Sequence, residues 1–155
     1  MKTKRILIVL CLFCTSVGFA QNKIFDKYAN MDDVSLTYIS KAVFQTINDR
    51  EYNLESLFPN QTMSHLKGKV EGEVESLQVA YTSNEKMIVQ MKKDFSQLIT
   101  SKHKTIMHIK DGENQVNFYS IMKGDMVKEL IMMIERNRYY MVVLLDGNFK
   151  LLNNE

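Results

Sequence analysis

The sequence predicts an α+β domain in which two helices pack on one face of a mixed, mostly antiparallel sheet that ends in a four-stranded meander. Two patterns lead to this prediction. Apolar residues recur every three or four positions in two early segments, as in helices, and alternate with polar residues through most of the second half, as in strands. Clusters of Gly, Asn and Asp interrupt that alternation at short intervals, which is typical of turns between antiparallel strands.

The N-terminus has the three parts of a secretory signal peptide. A cationic start over residues 2–5 is followed by an apolar run over residues 6–14. Gly18 and Ala20 then occupy the small-x-small positions that signal peptidase needs. We therefore predict cleavage between Ala20 and Gln21.

Removal of the signal peptide, residues 1–20, is expected to leave residues 21–155 as a single α+β domain. No stable membrane anchor is expected, because the apolar run is well short of the about 20 residues that span a bilayer. Cys11 and Cys14 both lie in the signal, so the mature domain is cysteine-free. An exported domain without disulfides favours a bacterial envelope over a eukaryotic secretory pathway.

The charge of the mature chain limits its partners. The signal contains three of the twenty Lys and Arg and none of the eighteen Asp and Glu, so the remaining chain is close to neutral. A near-neutral surface offers no electrostatic footprint for nucleic acid and little attraction to an anionic membrane. The expected partners are therefore proteins, peptides or small ligands.

The first elements of the domain are a strand and a helix. Val34, Leu36 and Tyr38 alternate with polar residues, which predicts a half-buried strand. Ile39, Val43 and Ile47 are spaced by four, as on the inward side of a helix, and Ser40 can cap that helix, which runs to about Asn48.

A crossover, a second strand and a second helix come next. Residues 49–69 follow no regular period, and a strand is predicted from Val74 to Tyr81. Thr82 and Glu85 have the spacing of a capping box, which opens a helix. That helix has the clearest apolar stripe in the chain: Ile88, Met91, Phe95, Leu98 and Ile99.

The second half predicts the meander. Its four strands are expected at residues 104–110, 115–122, 127–136 and 139–146, and the last is closed by the turn residues after Leu145. This last strand is apolar on both faces, so we expect it in the interior of the sheet.

The sequence predicts no catalytic, metal or cofactor site, and hence not an enzyme. His65, His103 and His108 form no pair at metal-ligand spacing, and His103 is interpreted as a solvated turn residue. The mature chain also lacks a cysteine nucleophile and the common hydrolase motifs.

An acidic row precedes the second strand. Glu71, Glu73 and Glu75 alternate along the chain and point to one side if it is extended. Calcium needs several oxygens around one ion, and an extended row spaces alternate side chains too widely to provide them. We interpret the row as a solvated face.

Short segments through most of the mature chain resemble the family of small secreted bacterial proteins known as domain of unknown function forty-two fifty-two. The resemblance implies an envelope or secreted location in a Gram-negative bacterium, and it transfers no catalytic residues. The segments that carry it are 25–29, 38–41, 75–79, 93–95, 110–112, 116–119 and 128–132.

Two functional hypotheses remain open. The leading one is a non-catalytic envelope module that binds a protein or peptide, and the alternative is a carrier of a small apolar ligand or lipid in a helix–sheet cleft. The alternative rests on the many methionines, which fill cores but also line adaptable binding surfaces. For the first hypothesis the expected contact surface is Arg136, Arg138 and Tyr139 at a hairpin tip, because Arg and Tyr are enriched among residues that dominate binding energy. The alternative for this tip is that Arg136 and Arg138 only protect a sheet edge against aggregation, as charged tips commonly do.

Overall fold

A computed structural model of the chain describes residues 23–46, 51–53 and 68–153. Within these residues a seven-stranded sheet is flanked by short helices. None of those helices is long and apolar enough to cross a membrane. The elements are α1 (23–28), β1 (Ser35–Ser40), α2 (Lys41–Thr46), β2 (Glu51–Asn53), β3 (Gly68–Thr82), α3 (Glu85–Phe95), a 3₁₀ turn (Ser96–Leu98), β4 (Lys104–Asp111), β5 (Asn114–Lys123), β6 (Met126–Arg136) and β7 (Tyr139–Asn153).

The strand order is β1-β3-β7-β6-β5-β4, and β2 pairs with the opposite end of β3 from β1. Every pairing among the described strands is antiparallel. The prediction of a mixed sheet was therefore wrong in this part of the chain. The coarser prediction of an α+β fold built on a mostly antiparallel sheet is confirmed, as is the meander from β4 to β7.

The central strands are apolar on both sides, and the sheet consequently has two cores. On one face, here called the α3 face, Ala80, Ile131 and Val142 pack with residues of α1 and α3. On the other, the far face, Leu77, Met132 and Val143 belong to a separate buried cluster. Such double-sided burial explains why β7 lacks a polar side, as the sequence predicted.

Helix α3 lies on the α3 face through its predicted stripe. Met91 and Phe95 are fully buried, and Phe95 contacts the rings of Phe25 and Tyr28 from α1 at 4.9 and 5.5 Å between centroids. The N-terminus of α3 differs from the prediction. Asn84, not Thr82, is the N-cap, and its side chain accepts hydrogen bonds from the backbone N–H groups of residues 86 and 87.

Helix α2 packs on the far face, opposite α3. Phe44 is its buried residue and joins the far-face cluster, whereas Val43, the expected inward residue, is exposed. The prediction that both helices cover one face was therefore wrong. Tyr38, expected to face inward from β1, is also exposed, because β1 is an edge strand that α3 does not cover. The later part of the predicted helix, residues 47–48, lies outside the described residues.

Strand β7 continues beyond its predicted end. Residues 146–148, expected to form a closing turn, instead pair with β3 beside an extra residue, Glu75, that bulges β3. A side chain at Gly147 would collide with the backbone carbonyl oxygen of Glu73, so only glycine permits this close approach. The pairing extends the sheet to Asn153.

Candidate functional site

Strand β4 is the most exposed strand of the sheet. It pairs with β5 on one side and with no other strand among the described residues, and all eight of its residues are exposed. Its large apolar side chains Ile106, Met107 and Ile109 are 41%, 38% and 50% accessible. An edge strand with apolar side chains and free backbone groups is a template for pairing with another extended segment.

A bulge divides the side chains of β4 between the two faces. The register with β5 shifts between Thr105 and Met107, so that Ile106 is an extra residue. Beyond it, Met107 lies opposite Phe118, a member of the far-face cluster. His108 lies opposite Asn117 on the α3 face, and the two side chains are hydrogen-bonded at 2.5 Å between Nδ1 and Oδ1. The bulge thus places Met107 and Ile109 together on the far face.

Strand β4 begins with a lysine and has a second lysine, Lys110, just before its last residue, Asp111. Lys104 and Lys110 are exposed, and neither forms an ion pair with a residue in the described part of the chain. Other lysines are paired: Lys92, for example, contacts Glu135 at 2.7 Å. The β4 edge therefore presents two exposed lysines that have no salt bridge among the described residues, with an apolar stretch between them and the Asp111 carboxylate after the second.

The predicted hairpin-tip residues lie at one end of this edge. The backbone N–H of Asn137 donates to Asn114 Oδ1 at 3.2 Å, which joins the β6–β7 tip to the β4–β5 tip. Asn137 and Arg138 have positive φ, as a tight two-residue hairpin turn requires. Arg138 is exposed and extends the basic edge.

Arg136 and Tyr139 are partly engaged within the protein. The Tyr139 ring lies 5.5 Å from that of Tyr81, and the Arg136 guanidinium is close enough to affect the Tyr139 hydroxyl electrostatically. Burial raises the pKa of Tyr139, while the Arg136 guanidinium opposes that shift. The structure brings the three predicted tip residues together and adds β4, which the sequence did not single out.

A second polar cluster is buried on the α3 face, and the sequence did not predict it. The His103 side chain is only 1% exposed, so the prediction of a solvated turn residue was wrong. Its Nδ1 accepts a hydrogen bond from the backbone N–H of Thr100, at 3.0 Å between the two nitrogens. The ring proton is therefore on Nε2. Nε2 donates to Glu129 Oε1 at 2.6 Å.

Glu129 in turn faces Asp146 across the β6–β7 pair, and Ser76 Oγ donates to Asp146 Oδ2 at 3.1 Å. Burial is the largest cause that raises the pKa of Asp146, to about 6, and the facing Glu129 carboxylate is the second. The hydrogen bond from Ser76 acts in the opposite direction and lowers this pKa. These groups come from four separate segments, so no local motif could have indicated them. Through His103, the cluster connects the turn at residues 100–103 to the sheet.

The acidic row has a solvated position, as interpreted from the sequence. Glu73 Oε1 contacts Lys41 Nζ at 2.5 Å, and Glu75 Oε1 lies 4.0 Å from the same ammonium. Within the described residues, no group of three His, Cys, Asp or Glu side chains has an arrangement that could hold a metal ion. His65 and the predicted cleavage site at Ala20 and Gln21 lie outside the described residues.

Comparison with known proteins identifies a family. The model of a family described as Domain of unknown function (DUF4252) matches residues 28–153, which include every described strand. No curated protein and no solved structure matches the chain.

Proposed function

We propose that this chain, which belongs to the DUF4252 family, is a non-catalytic bacterial envelope module that binds an extended, acidic segment of a protein partner along strand β4. The observation that carries the proposal is the exposure of β4 along its whole length. In this proposal the predicted tip residues Arg136, Arg138 and Tyr139 form one end of the binding surface. The hydrogen bond from Asn137 to Asn114 holds their hairpin tip beside the tip of the β4–β5 hairpin. Export through a signal peptide cleaved after Ala20, to the periplasm or the exterior, is part of the proposal.

The backbone of β4 supports pairing as the mode of binding. In an antiparallel sheet each residue of an edge strand directs its N–H and C=O groups either to its one neighbour or outward. The outward groups of β4 are available to an added strand, which forms main-chain hydrogen bonds whatever its sequence. The apolar side chains of Met107 and Ile109, together on the far face, then contact alternate side chains of that strand.

Charge supports an acidic partner. Lys104 and Lys110 lie near opposite ends of β4 without an ion-pair partner among the described residues, and Arg138 is exposed at the adjoining tip. These three cations outnumber the single carboxylate of the strand, Asp111. A partner segment with carboxylates flanking apolar residues would neutralise the lysines and cover the apolar stretch. Complementary charge mainly provides specificity and a faster encounter.

The alternative, a carrier of an apolar ligand in a helix–sheet cleft, has less support. Met91 and Phe95 are fully buried where α3 meets the sheet, and their packing against Tyr28 and Val142 fills that space. A carrier needs an apolar cavity at such a position.

Binding of synthetic peptides tests the proposal. We expect a short peptide of alternating Glu and Val to bind the purified protein, and a peptide of alternating Lys and Val to bind far more weakly. Lys110→Glu should weaken binding of the acidic peptide about five-fold and strengthen that of the basic one, since it exchanges an exposed attraction for a repulsion. The affinity of each peptide is measured by isothermal titration calorimetry at low salt.

Two matched variants control for charge and hydrophobicity away from β4. Lys86→Glu changes an exposed lysine of α3, and Val89→Thr changes an exposed apolar residue of the same helix that is 71% accessible. Neither should change the affinity, whereas Ile109→Thr should reduce it. Equal affinity for the acidic and basic peptides, or equal effects of Lys110→Glu and Lys86→Glu, would contradict the proposal.

A further inference from the structure

A small, open pocket lies on the α3 face, beside the helix and one strand away from β4. Its volume is about 150 Å³, and it opens to solvent on one side. Strands β5, β6 and β7 form its floor, and α3 forms one wall. Its lining residues are Lys92, Gln115, Asn117, Met133, Glu135 and Tyr140.

Tyr140 has an unused hydrogen-bonding group in this pocket. The residue is only 4% accessible, yet its hydroxyl forms no hydrogen bond with any residue that the structure describes. Burial is the main cause that raises the pKa of Tyr140, and the nearby Glu135 carboxylate is the second cause. The hydroxyl therefore keeps its proton and can donate a hydrogen bond. Within the described residues the buried side-chain polar atom without a hydrogen bond is Ser120 Oγ, so the Tyr140 hydroxyl is open to the pocket, where it can bond to water or a ligand.

The other polar groups of the pocket are also incompletely used. Asn117 Oδ1 is bonded to His108, which leaves the two amide N–H donors of Asn117 available. The Gln115 side chain has no hydrogen bond with a described residue, so both its donors and its acceptor remain.

The pocket carries no net charge. Lys92 Nζ donates to both carboxylate oxygens of Glu135, at 3.0 and 2.7 Å. Each of these oxygens keeps a lone pair, and the ammonium keeps one N–H. The wall therefore offers donors and acceptors side by side without a net field that would select an anion or a cation.

We propose that this pocket binds one ring of a neutral sugar. A sugar hydroxyl both donates and accepts, which matches a wall that mixes amide, phenol, ammonium and carboxylate groups. The pocket volume of about 150 Å³ suits one ring and not an extended chain. Met133 supplies an apolar floor for the C–H groups of the ring. The inference stands apart from peptide binding at β4, because it rests on a different face and different side chains.

The test is titration of the purified protein with glucose, galactose and N-acetylglucosamine, followed by NMR of the side-chain amide signals. At least one sugar should shift the signals of Gln115 and Asn117. Tyr140→Phe removes only the hydroxyl and keeps the buried ring, so the fold should remain. It should weaken binding about five-fold, the usual effect of losing one neutral hydrogen bond.

Tyr38→Phe is the control, because it removes an exposed hydroxyl from β1, at the other edge of the sheet and outside the pocket. It should bind the sugar like the parent protein. Glycine serves as a zwitterionic probe that could insert between Lys92 and Glu135. Absence of shifts with all three sugars, equal affinity of Tyr140→Phe and parent, or shifts with glycine alone would overturn the proposal.

Discussion

Replacement of Asp146 by Asn should make the protein more stable at alkaline pH and should change little at acidic pH. The carboxyl is buried on the α3 face, where Glu129 faces it from β6, Glu75 lies near it on β3, and His103 contacts Glu129 from the loop. An asparagine side chain can keep both contacts of the protonated acid: its N–H can donate to Glu129, and its carbonyl can accept from Ser76.

The sign and size of the effect follow from the pKa of Asp146, which folding raises from 3.8 to about 6. A raised pKa means that the native state favours the protonated acid. The stabilisation from this group is therefore fully present below about pH 4 and is lost as the pH rises through about 6. At 1.36 kcal/mol for each pKa unit, the loss is up to about 3 kcal/mol by pH 8.

Urea denaturation of the parent and of Asp146→Asn across pH 4 to 8 measures this difference. The variant should exceed the parent by up to about 3 kcal/mol at the alkaline end, and the gap should narrow steadily towards pH 4. Asp125→Asn is the control, because Asp125 is exposed, pairs with Lys150 and has a lowered pKa, so its replacement should bring no gain at pH 8. A gap for Asp146→Asn that stays constant with pH would refute the reasoning.

Two further predictions concern the core and the N-terminus. Phe95→Ala should cost roughly 3–5 kcal/mol, because Phe95 is fully buried in the α3 core, whereas Lys93→Ala on the exposed side of the helix should be nearly neutral. Equal urea midpoints for the two variants would show that the α3 packing is wrong. Mass analysis of protein recovered from the envelope should find Gln21 as the first residue, and a chain that retains residues 1–20 would rule out cleavage after Ala20.

The sequence predicted the elements with long, regular patterns. The stripe of Met91, Phe95 and Leu98 is the buried side of α3 and its 3₁₀ turn, and the four alternating segments are β4 to β7. In α3 the period extends over enough residues to determine which side of the helix is buried. The prediction for α2 was wrong because one residue of its apolar spacing, Ile39, lies in β1, so the spacing did not follow a single helix.

Other errors arose from contacts between distant residues. The residues around Gly147 have the composition of a turn, but pairing with β3, more than sixty positions away, keeps them in a strand. The residues next to His103 in the sequence are polar, which suggested a solvated turn. In the structure the His103 side chain is instead buried against Glu129, which is 26 positions away. The sequence also did not predict that β4 is exposed, because alternation indicates a strand but does not show whether that strand is central or at the edge of a sheet.

The central claim, that β4 receives an added strand, is tested most directly by hydrogen exchange of its backbone amides. In the free protein the outward amides between Lys104 and Asp111 should exchange rapidly, since they have no hydrogen-bond acceptor on that side among the described strands. Saturation with the Glu–Val peptide should slow the exchange of alternate amides along β4 and leave α3 unchanged. Protection confined to the hairpin tip at residues 136–139, or no protection at β4 with the peptide bound, would contradict the account.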